Sequence, residues 1–264
     1  MLMMAAALAE ELNVALELCD NRERIRSENK GVWNGTIGGS KICLVKTGTG
    51  PVRASKKMET VIHSLRPHRI LWIGYAGALA DEIRVGDLIV IQKTSILGDR
   101  GAKARPIDQL EAAMSFELTG SSELFELAKS AGVRAHCGDG LTSPFIIGDP
   151  IQKRALNRRF HALSIDMETA AVARVASVAG VPFSCVRAVS DDAGDEFLAP
   201  FSYDPNASPV RKAIRAAGAG NWWKRLHAWR ERSERARECM RVYLRHCFAI
   251  WIREGPNSVW VQGS

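Results

Sequence analysis

Acidic side chains follow three of the apolar segments in this sequence. They are Glu10-Glu11, Asp166-Met167-Glu168 and Ser190-Asp191-Asp192. Each group comes after a run of apolar residues that is typical of a buried strand. Because burying a carboxylate without a partner is costly, carboxylates at such positions favour a chemical role. Helix capping is the alternative, since Asp, Ser and Glu are common in the first turn of a helix, but three groups together favour a shared site.

Two glycine-containing stretches have the composition of a loop that could hold a phosphate or a nucleotide. Gly74-Tyr75-Ala76-Gly77-Ala78 has the spacing of a G-x-x-G turn, and Gly48-Thr49-Gly50-Pro51 is a weaker example. Neither stretch is part of a complete Rossmann or Walker motif. We therefore expect the first stretch to be a tight turn between a strand and a loop.

The elements that must position these residues are apolar runs alternating with amphipathic segments. We predict strands at 1–8, 41–47, 69–74, 87–92, 162–166 and 181–192, with a further strand and loop within 138–150. We predict helices at 9–18, 54–65, 122–131, 150–160 and 168–179. This alternation indicates an α/β fold with a mixed, largely parallel central sheet flanked by helices. Such sheets bind ligands where their strands end, which is where the acidic groups lie.

Positive charge is concentrated in the last part of the chain. The 264 residues have a net charge of +7, and residues 207–264 carry twelve Lys and Arg against four Glu, so the preceding residues are close to neutral. We therefore divide the chain into an α/β domain at 1–205 and a basic, Trp-rich helical extension at 206–264.

The extension has apolar residues at spacings of three and four, which predicts a long amphipathic helix. They are Trp222, Leu226, Trp229, Ala236, Met240, Tyr243 and Cys247. Packing of this stripe on the domain or on a sister subunit is the favoured interpretation. Contact with a membrane surface is the second, because five of the seven tryptophans lie in the last 43 residues among Arg side chains. Nucleic-acid binding is the least favoured.

Composition disfavours several other classes of protein. No run of 18 apolar residues predicts a membrane span, and the start MLMMAAALAEEL lacks the basic residues of a secretory signal, so we expect a cytoplasmic protein. The six cysteines lie far apart without a C-x-x-C pair, which predicts reduced thiols, no disulfide framework and no metal site.

Three segments together resemble the nucleoside phosphorylase family. They are TGTGPVRA, WIGYAGALADEIRVGDLIV and SIDMETAAVARVASVAGVPFSCVRAVSDDAGD. The resemblance covers roughly residues 3–197 and is strongest to the nucleosidase branch, which removes adenine from methylthioadenosine and S-adenosylhomocysteine. Its most specific element is M-E-T-A-A, whose Glu168 is followed 23 residues later by Asp191 in S-D-D-A. Residues 93–135 match only loosely.

The resemblance implies a role for each acidic group in breaking an N-glycosidic bond. Asp191 matches the residue that gives a proton to purine N7, and Glu168 with Met167 matches the pair that holds the ribose. Glu11 matches the base that activates water, with Glu10 as the alternative. These roles suit the chemistry, because the departing base gains negative charge while the sugar gains positive charge.

Other positions depart from the family or fit it less tightly. Phe145 or Ile146 stands where the family places a side chain on the base, although Phe145 also suits an ordinary core. Tyr75 replaces the family's serine in the substrate-binding loop that includes Gly77, so a polar contact at this loop is altered. Asp166 replaces a Glu, and we expect it to be structural.

The resemblance leaves water and phosphate open as the nucleophile. Phosphorolysis calls for arginines, yet Leu71 and Trp72 stand just before Gly74, and Arg53 is more typical of a solvated helix residue. Water is therefore favoured. No metal or redox cofactor is expected, and inorganic phosphate is the alternative co-substrate.

Three functions stay open at this point. The favoured one is hydrolytic release of adenine from a 5′-substituted adenosine, with a nucleoside as the small-molecule partner and a homodimer as the expected assembly. The second is hydrolytic or phosphorolytic removal of adenine from an adenosyl-hopanoid, because the basic tail resembles a hopanoid-associated branch of the family. The third is a non-catalytic adenosine-binding module, which the altered Tyr75 favours and the retained Asp191 and Glu168 oppose.

Overall fold

A computed structural model describes residues 1–25, 30–98, 111–196 and 222–254, with side chains in the last range from residue 230. Over these ranges the strands are β1 (Leu2–Ala6), β2 (Asn21–Arg24), β3 (Val32–Ile37), β4 (Ser40–Lys46), β5 (Arg69–Ala78), β6 (Leu88–Leu97), β7 (Ala112–Glu117), β8 (Ala135–Thr142), β9 (Ser164–Asp166) and β10 (Phe183–Asp191). The helices are α1 (Ala9–Glu17), α2 (Pro51–Leu65), α3 (Ser121–Ser130), α4 (Pro150–Phe160), α5 (Thr169–Val178) and α6 (Trp222–Glu254).

The strands form a mixed sheet in which β4, β1, β5 and β10 are adjacent and parallel. β10 also pairs with β6, which pairs with β8, which pairs with β9, and β9 returns to β5. These pairings close part of the sheet on itself, so the carboxyl ends of β1, β5 and β10 lie beside the ends of β8 and β9. The predicted class, a mixed α/β sheet flanked by helices, is confirmed.

Alternating side chains of the central strands divide the core between two helical layers. On β5, Leu71 and Ile73 face the cluster that contains α1, α3 and α6, whereas Ile70 and Trp72 face the cluster that contains α2 and α5. All four side chains are fully buried. A strand that is apolar on both faces is typical of a parallel sheet covered by helices, which explains the continuous apolar run in the sequence.

The predicted turn at Gly74–Ala78 is wrong, because these residues continue β5 as a strand. Gly74 pairs with Arg187 of β10, and Gly77 and Ala78 pair with β9. Glycine has no side chain, which suits a strand whose backbone is approached closely by neighbouring groups. Glycine at these positions therefore indicates close packing and not a turn.

Three strands were not predicted. β2 is exposed along its whole length and β7 is mostly exposed, while β3 contains Asn34 and Gly35 within a short run. Antiparallel pairing to β3, β6 and β4 stabilises them. Strands held mainly by backbone pairing lack the apolar alternation from which a strand is recognised.

The described part of α6 packs against the α/β domain. Its buried residues at helical spacing are Ala236, Cys239, Met240, Tyr243, Leu244, Cys247, Phe248 and Trp251, and they belong to the same cluster as α1 and α3. Arg237 and Arg241 also contact Glu17 of α1. The favoured interpretation of the predicted stripe therefore holds from Ala236 onward.

Parts of the prediction for the tail lie outside the described residues. The boundary placed at 205/206 falls between residues 197 and 221, and the side chains of Trp222, Leu226 and Trp229 are likewise outside. Among the helices that are described, none has the length and apolar character needed to cross a bilayer.

Replacing Leu244 by Ala tests whether α6 contributes to the stability of the domain. Leu244 is fully buried between α6 and the sheet, so its loss should lower the free energy of unfolding by about 3 kcal/mol. The matched control is Val242→Ala on the same helix, where 39% of the side chain is exposed and the change should stay within about 0.5 kcal/mol. Urea unfolding measures the free energy of unfolding of both variants. If Leu244→Ala lowers it no more than Val242→Ala does, α6 contributes little to the stability of the domain.

Candidate active site

A cavity of about 200 Å³ opens where β1, β5, β9 and β10 end. It brings together all eight residues predicted for substrate binding and catalysis. They are Glu11, Tyr75, Gly77, Phe145, Ile146, Met167, Glu168 and Asp191. Glu10, the alternative to Glu11, also lines it. The sequence segments that carry these residues lie far apart in the chain, so the sheet creates this arrangement.

Glu11 lies in the first turn of α1 with only 4% of its surface exposed. Its carboxylate accepts hydrogen bonds from the backbone N–H of Leu8 at 2.7 Å and of Tyr75 at 2.8 Å. Burial raises the pKa of Glu11, and the Arg187 guanidinium and the two N–H groups oppose that rise. A buried carboxylate with a raised pKa is suited to take a proton from water near neutral pH.

Asp166, which lines the cavity, forms a buried ion pair with Arg187. Nη2 of Arg187 lies 2.6 Å from Oδ2 of Asp166, and Arg187 also donates to the hydroxyl of Thr169. Asp166 accepts from the hydroxyl of Thr142 and from the backbone N–H groups of Glu168 and Thr169. Asp166 therefore caps the start of α5, which agrees with the structural role expected for it.

Glu168 begins α5 but does not cap it. Instead, Oε1 accepts a hydrogen bond of 2.7 Å from the backbone N–H of Gly50, at the start of α2. Burial raises the pKa of Glu168 to about 7, and the neighbouring Asp166 carboxylate adds to the rise. With Asp166 satisfying the helix, the Glu168 carboxylate is free to face a ligand in the cavity.

Asp191 is the last residue of β10 and is 4% exposed. Its Oδ2 pairs with the ammonium of Lys153 on α4, and its Oδ1 accepts a hydrogen bond of 2.9 Å from the hydroxyl of Ser190. The side chain lies against Gly77, where an added Cβ would be 2.7 Å from Oδ2. Asp191 is thus held by α4 and β5 while it lines the cavity.

Gly74 leaves room for Arg187 and Glu11, as Gly77 leaves room for Asp191. A Cβ added at Gly74 would overlap Nη1 of Arg187 and lie 2.7 Å from Oε1 of Glu11. Gly74 and Gly77 therefore leave the space that Arg187, Glu11 and Asp191 occupy on β5. The close approach of charged groups to the backbone is the physical reason for glycine at both positions.

Apolar side chains form the remaining wall of the cavity. Phe145 packs against the small cluster of α4 and β8, and its backbone is braced by the hydroxyl of Ser143, which donates to the Phe145 carbonyl at 2.7 Å. Ile146 is 38% exposed beside it. Half-buried Tyr75 also lines the cavity, and burial raises the pKa of its hydroxyl, with Glu11 adding to the rise. The cavity thus combines apolar and aromatic side chains with carboxylates, as small-molecule sites commonly do.

The cavity is strongly acidic. Five carboxylates contribute to its surface, from Glu10, Glu11, Asp166, Glu168 and Asp191. No Lys or Arg belongs to the lining among the described residues, because Arg187 and Lys153 lie behind the carboxylates they pair with. Such a surface stabilises positive charge that develops on a ligand and disfavours a second anion.

Comparison with known proteins gives the family. Residues 3–217 match the family described as "Phosphorylase superfamily". The chain belongs to the phosphorylase superfamily.

Two curated relatives match most of the chain. The 5′-methylthioadenosine/S-adenosylhomocysteine nucleosidase of Halalkalibacterium halodurans is 31% identical over 200 residues, which is 74% of this chain and 84% of that protein. The enzyme of the same name from Anoxybacillus flavithermus is 28% identical over 201 residues, covering 72% of this chain and 84% of the relative.

A solved structure shows the same fold. The 5′-methylthioadenosine/S-adenosylhomocysteine nucleosidase of Neisseria meningitidis, in complex with methylthio-immucillin-A, superimposes with a TM-score of 0.69. The match covers 93% of this chain and 96% of that chain at 20% identity. The predicted resemblance to the nucleosidase branch is confirmed by these relatives.

Sequence reasoning missed three residues of this phosphorylase-superfamily site. Arg187 is a charge within the apolar run FSCVRAV, which is a signal for a buried functional group that was not used. Lys153 lies in the polar stretch IQKRALNRR, where a lysine is typical of a solvated helix face. Ser233 of α6 lines the cavity, and its signal in the sequence is that it interrupts the apolar stripe between Trp229 and Ala236.

Proposed function

We propose that this protein hydrolyses the N-glycosidic bond of a 5′-substituted adenosine and releases adenine, in line with the name 5′-methylthioadenosine/S-adenosylhomocysteine nucleosidase that its curated relatives carry. The observation that carries the proposal is the placement of Asp191, Glu168 and Glu11 around one small acidic cavity with apolar walls. An enzyme that breaks this bond needs an acid at the base, a negative environment at the ribose and a base for water.

Each carboxylate takes one of these tasks. Asp191 delivers a proton to N7 of the purine, so that the base departs as neutral adenine. Glu168 accepts hydrogen bonds from the ribose hydroxyls, with Met167 against the sugar, and Phe145 and Ile146 cover the base. These groups favour the positive charge that develops on the ribose as the bond to N9 breaks.

Glu11 takes a proton from the water that attacks C1′ of the ribose. Its carboxylate is fixed by two backbone N–H groups, and its raised pKa suits a base that works near neutral pH. Arg187 lies close enough to influence the pKa of Glu11 and balances its charge. Water thus reaches a base that is already oriented.

Water is favoured over phosphate because of the charges in the cavity. A phosphate ion would meet five carboxylates, and the candidate Arg53 is exposed on α2. Bringing a dianion next to buried carboxylates is unfavourable unless cations line the same surface. The proposed reaction requires no metal or redox cofactor, and phosphate remains the alternative co-substrate that the assay below tests.

The raised pKa of Glu168 predicts a pH-dependent affinity. Below about pH 7 the buried carboxyl is mostly neutral, and it must lose its proton to accept both ribose hydroxyls. KM should therefore fall as pH rises through about 7, by up to tenfold per pH unit on the acid side. In Glu168→Gln this dependence should disappear together with tight binding. An unchanged dependence in that variant would assign the titration to another group.

The raised pKa of Glu168 also makes the stability of the ligand-free protein depend on pH. The unfolded chain ionises Glu168 from about pH 4.5, whereas the folded chain resists ionisation until about 7. Stability contributed by this neutral group is present at low pH and is lost as pH rises through 7. A bound nucleoside should therefore stabilise the protein more at pH 8 than at pH 6.

The decisive experiment measures adenine release from 5′-methylthioadenosine and S-adenosylhomocysteine, with and without inorganic phosphate. Hydrolysis predicts adenine and a free sugar at a rate independent of phosphate. Phosphate-dependent formation of a ribose 1-phosphate would replace hydrolysis by phosphorolysis. Adenosine binding without adenine release from any substrate would leave only the binding module.

An adenosyl-hopanoid is the second candidate substrate. The observation in its favour is that Ser233 of the basic helix α6 lines the cavity, which places that helix beside the bound nucleoside. Adenine release from this lipid at a rate above that from 5′-methylthioadenosine would select it. Membrane-surface contact through the tail, a cytoplasmic location and a homodimeric assembly belong to the same proposal and are tested by vesicle co-sedimentation, fractionation and light scattering.

A further inference from the structure

Lys153 is the buried cation nearest to the proposed acid. It is fully buried on α4, and its ammonium contacts three oxygens: Oδ2 of Asp191, the carbonyl of Asp192 at 2.9 Å and the carbonyl of Asp195 at 3.4 Å. A lysine ammonium has three N–H donors and no acceptor. Three acceptors around Nζ therefore fit the charged form of Lys153.

Asp191 is surrounded by hydrogen-bond donors on both oxygens. The ammonium of Lys153 faces Oδ2, and the hydroxyl of Ser190 donates to Oδ1. The ammonium of Lys153 cannot accept a hydrogen bond, so a proton on Oδ2 would oppose it, whereas the hydroxyl of Ser190 can donate or accept at Oδ1. The ion pair with Lys153 balances a negative charge on Asp191, although the departing purine needs a proton from this residue.

The other charged groups around this pair have partners of their own. The carboxylate of Asp192 accepts from the backbone N–H of Val85 at 2.5 Å, and that of Asp195 pairs with Arg232 of α6 at 3.1 Å. Arg154, next to Lys153 on α4, pairs with Asp81 at 2.9 Å. Lys153 is therefore the cation available to Asp191 on the described elements packed against it.

We infer that Lys153 and Asp191 act as one acid, in which the proton that reaches purine N7 is stored on the Lys153 ammonium. This inference rests on the proposed function. As the bond from N9 to C1′ breaks, its electron pair goes to the purine and N7 takes a proton through Asp191. The Lys153 ammonium transfers one proton to the Asp191 carboxyl and becomes a neutral amine. Solvent reprotonates that amine after adenine leaves, while Glu11 accepts the proton of the attacking water.

Lys153 is a positioning and proton-supplying residue, since it acts through Asp191. Its replacement by Met should lower kcat/KM for adenine release from 5′-methylthioadenosine about 10²–10⁴-fold, with KM changed little. The Met variant retains the Asp191 carboxyl but has no ammonium beside it to resupply the proton.

A substrate that needs no acid separates proton supply from structural support. The nitrophenolate of p-nitrophenyl riboside leaves without a proton, so Lys153→Met should cleave it within a few-fold of the parent protein. Lys153→Arg keeps a cation that does not release its proton in proteins. It should show the same selective loss of adenine release. Lys129→Met, which changes an exposed lysine paired with Glu126 at 2.5 Å, is the matched control.

Four results would overturn the inference. They are full adenine release by Lys153→Met, equal loss of adenine and nitrophenolate release, full adenine release by Lys153→Arg, and a Lys129→Met variant that behaves like Lys153→Met. Each is distinct from failure of the proposed function, in which the parent protein itself releases no adenine. Thermal unfolding checks that both Lys153 variants fold. If Lys153→Met does not fold, the more conservative Lys153→Arg decides the question.

Discussion

Asp191→Asn should release adenine about 10²–10⁴-fold more slowly than the parent protein, because an amide has no acidic proton for purine N7. The Asn oxygen can still accept from Lys153, and the Asn NH2 group can donate to the hydroxyl of Ser190. Because the buried Lys153 ammonium loses its counter-charge, the variant should be less stable, and rates are compared at a temperature at which thermal unfolding shows it folded. KM for 5′-methylthioadenosine should change little, because the ribose contacts assigned to Glu168 are untouched. Steady-state rates with a xanthine oxidase-coupled assay for adenine measure the effect.

The matched control for this variant is Asp139→Asn. Asp139 lies on β8 outside the cavity and pairs at 3.9 Å with Lys93. Its loss should leave the rate unchanged, because such a half-exposed pair contributes little. An Asp191→Asn variant with full activity would remove Asp191 as the acid and, with it, the acid pair built on Lys153.

Arg187→Met should have the largest effect on stability. Arg187 is 1% exposed and balances Asp166, and the carboxylates of Asp166, Glu11 and Glu168 raise its pKa against the opposing effect of burial. Removing one partner of a buried ion pair leaves an uncompensated charge and costs about 3–5 kcal/mol. Activity should fall as well, because Glu11 then keeps its proton to higher pH.

An exposed pair provides the comparison for Arg187. Arg154 contacts Asp81 at 2.9 Å with 41% and 64% of the two side chains exposed, so Arg154→Met should change stability by less than about 1 kcal/mol. The double variant Arg187→Met with Asp166→Asn should recover part of the lost stability, since it removes both charges of the pair. Chemical denaturation measures all three, and equal stability of Arg187→Met and the parent protein would contradict the account.

The acidic residues of the site could be predicted because their chemical signal is local. A carboxylate at the end of an apolar strand, as at Asp191, conflicts with burial unless it has a use, and the sequence displays that conflict. Family resemblance then assigned the roles of Glu168 and Glu11. The sequence therefore predicted the carboxylates that lie at the ends of strands.

The partners of those residues could not be predicted, because they depend on tertiary contacts. Lys153 lies in a helix whose polar sequence gives no hint that one lysine is fully buried against β10. Gly74 was interpreted as a turn residue because glycine has two uses, and only the neighbouring Arg187 and Glu11 distinguish them. Strands β2 and β7 are held by backbone pairing, which leaves no pattern in the side chains.

The packing of α6 on α1 has a consequence for the order in which the chain acquires its structure during synthesis. Glu17 and Arg237, which pair across these helices, are separated by 220 residues. At cellular translation rates the ribosome needs about 10–45 seconds to cover that distance. During this interval the apolar residues of α1 and β1 lack the packing that α6 provides. We therefore expect chaperones to bind the nascent chain until α6 has emerged from the ribosome.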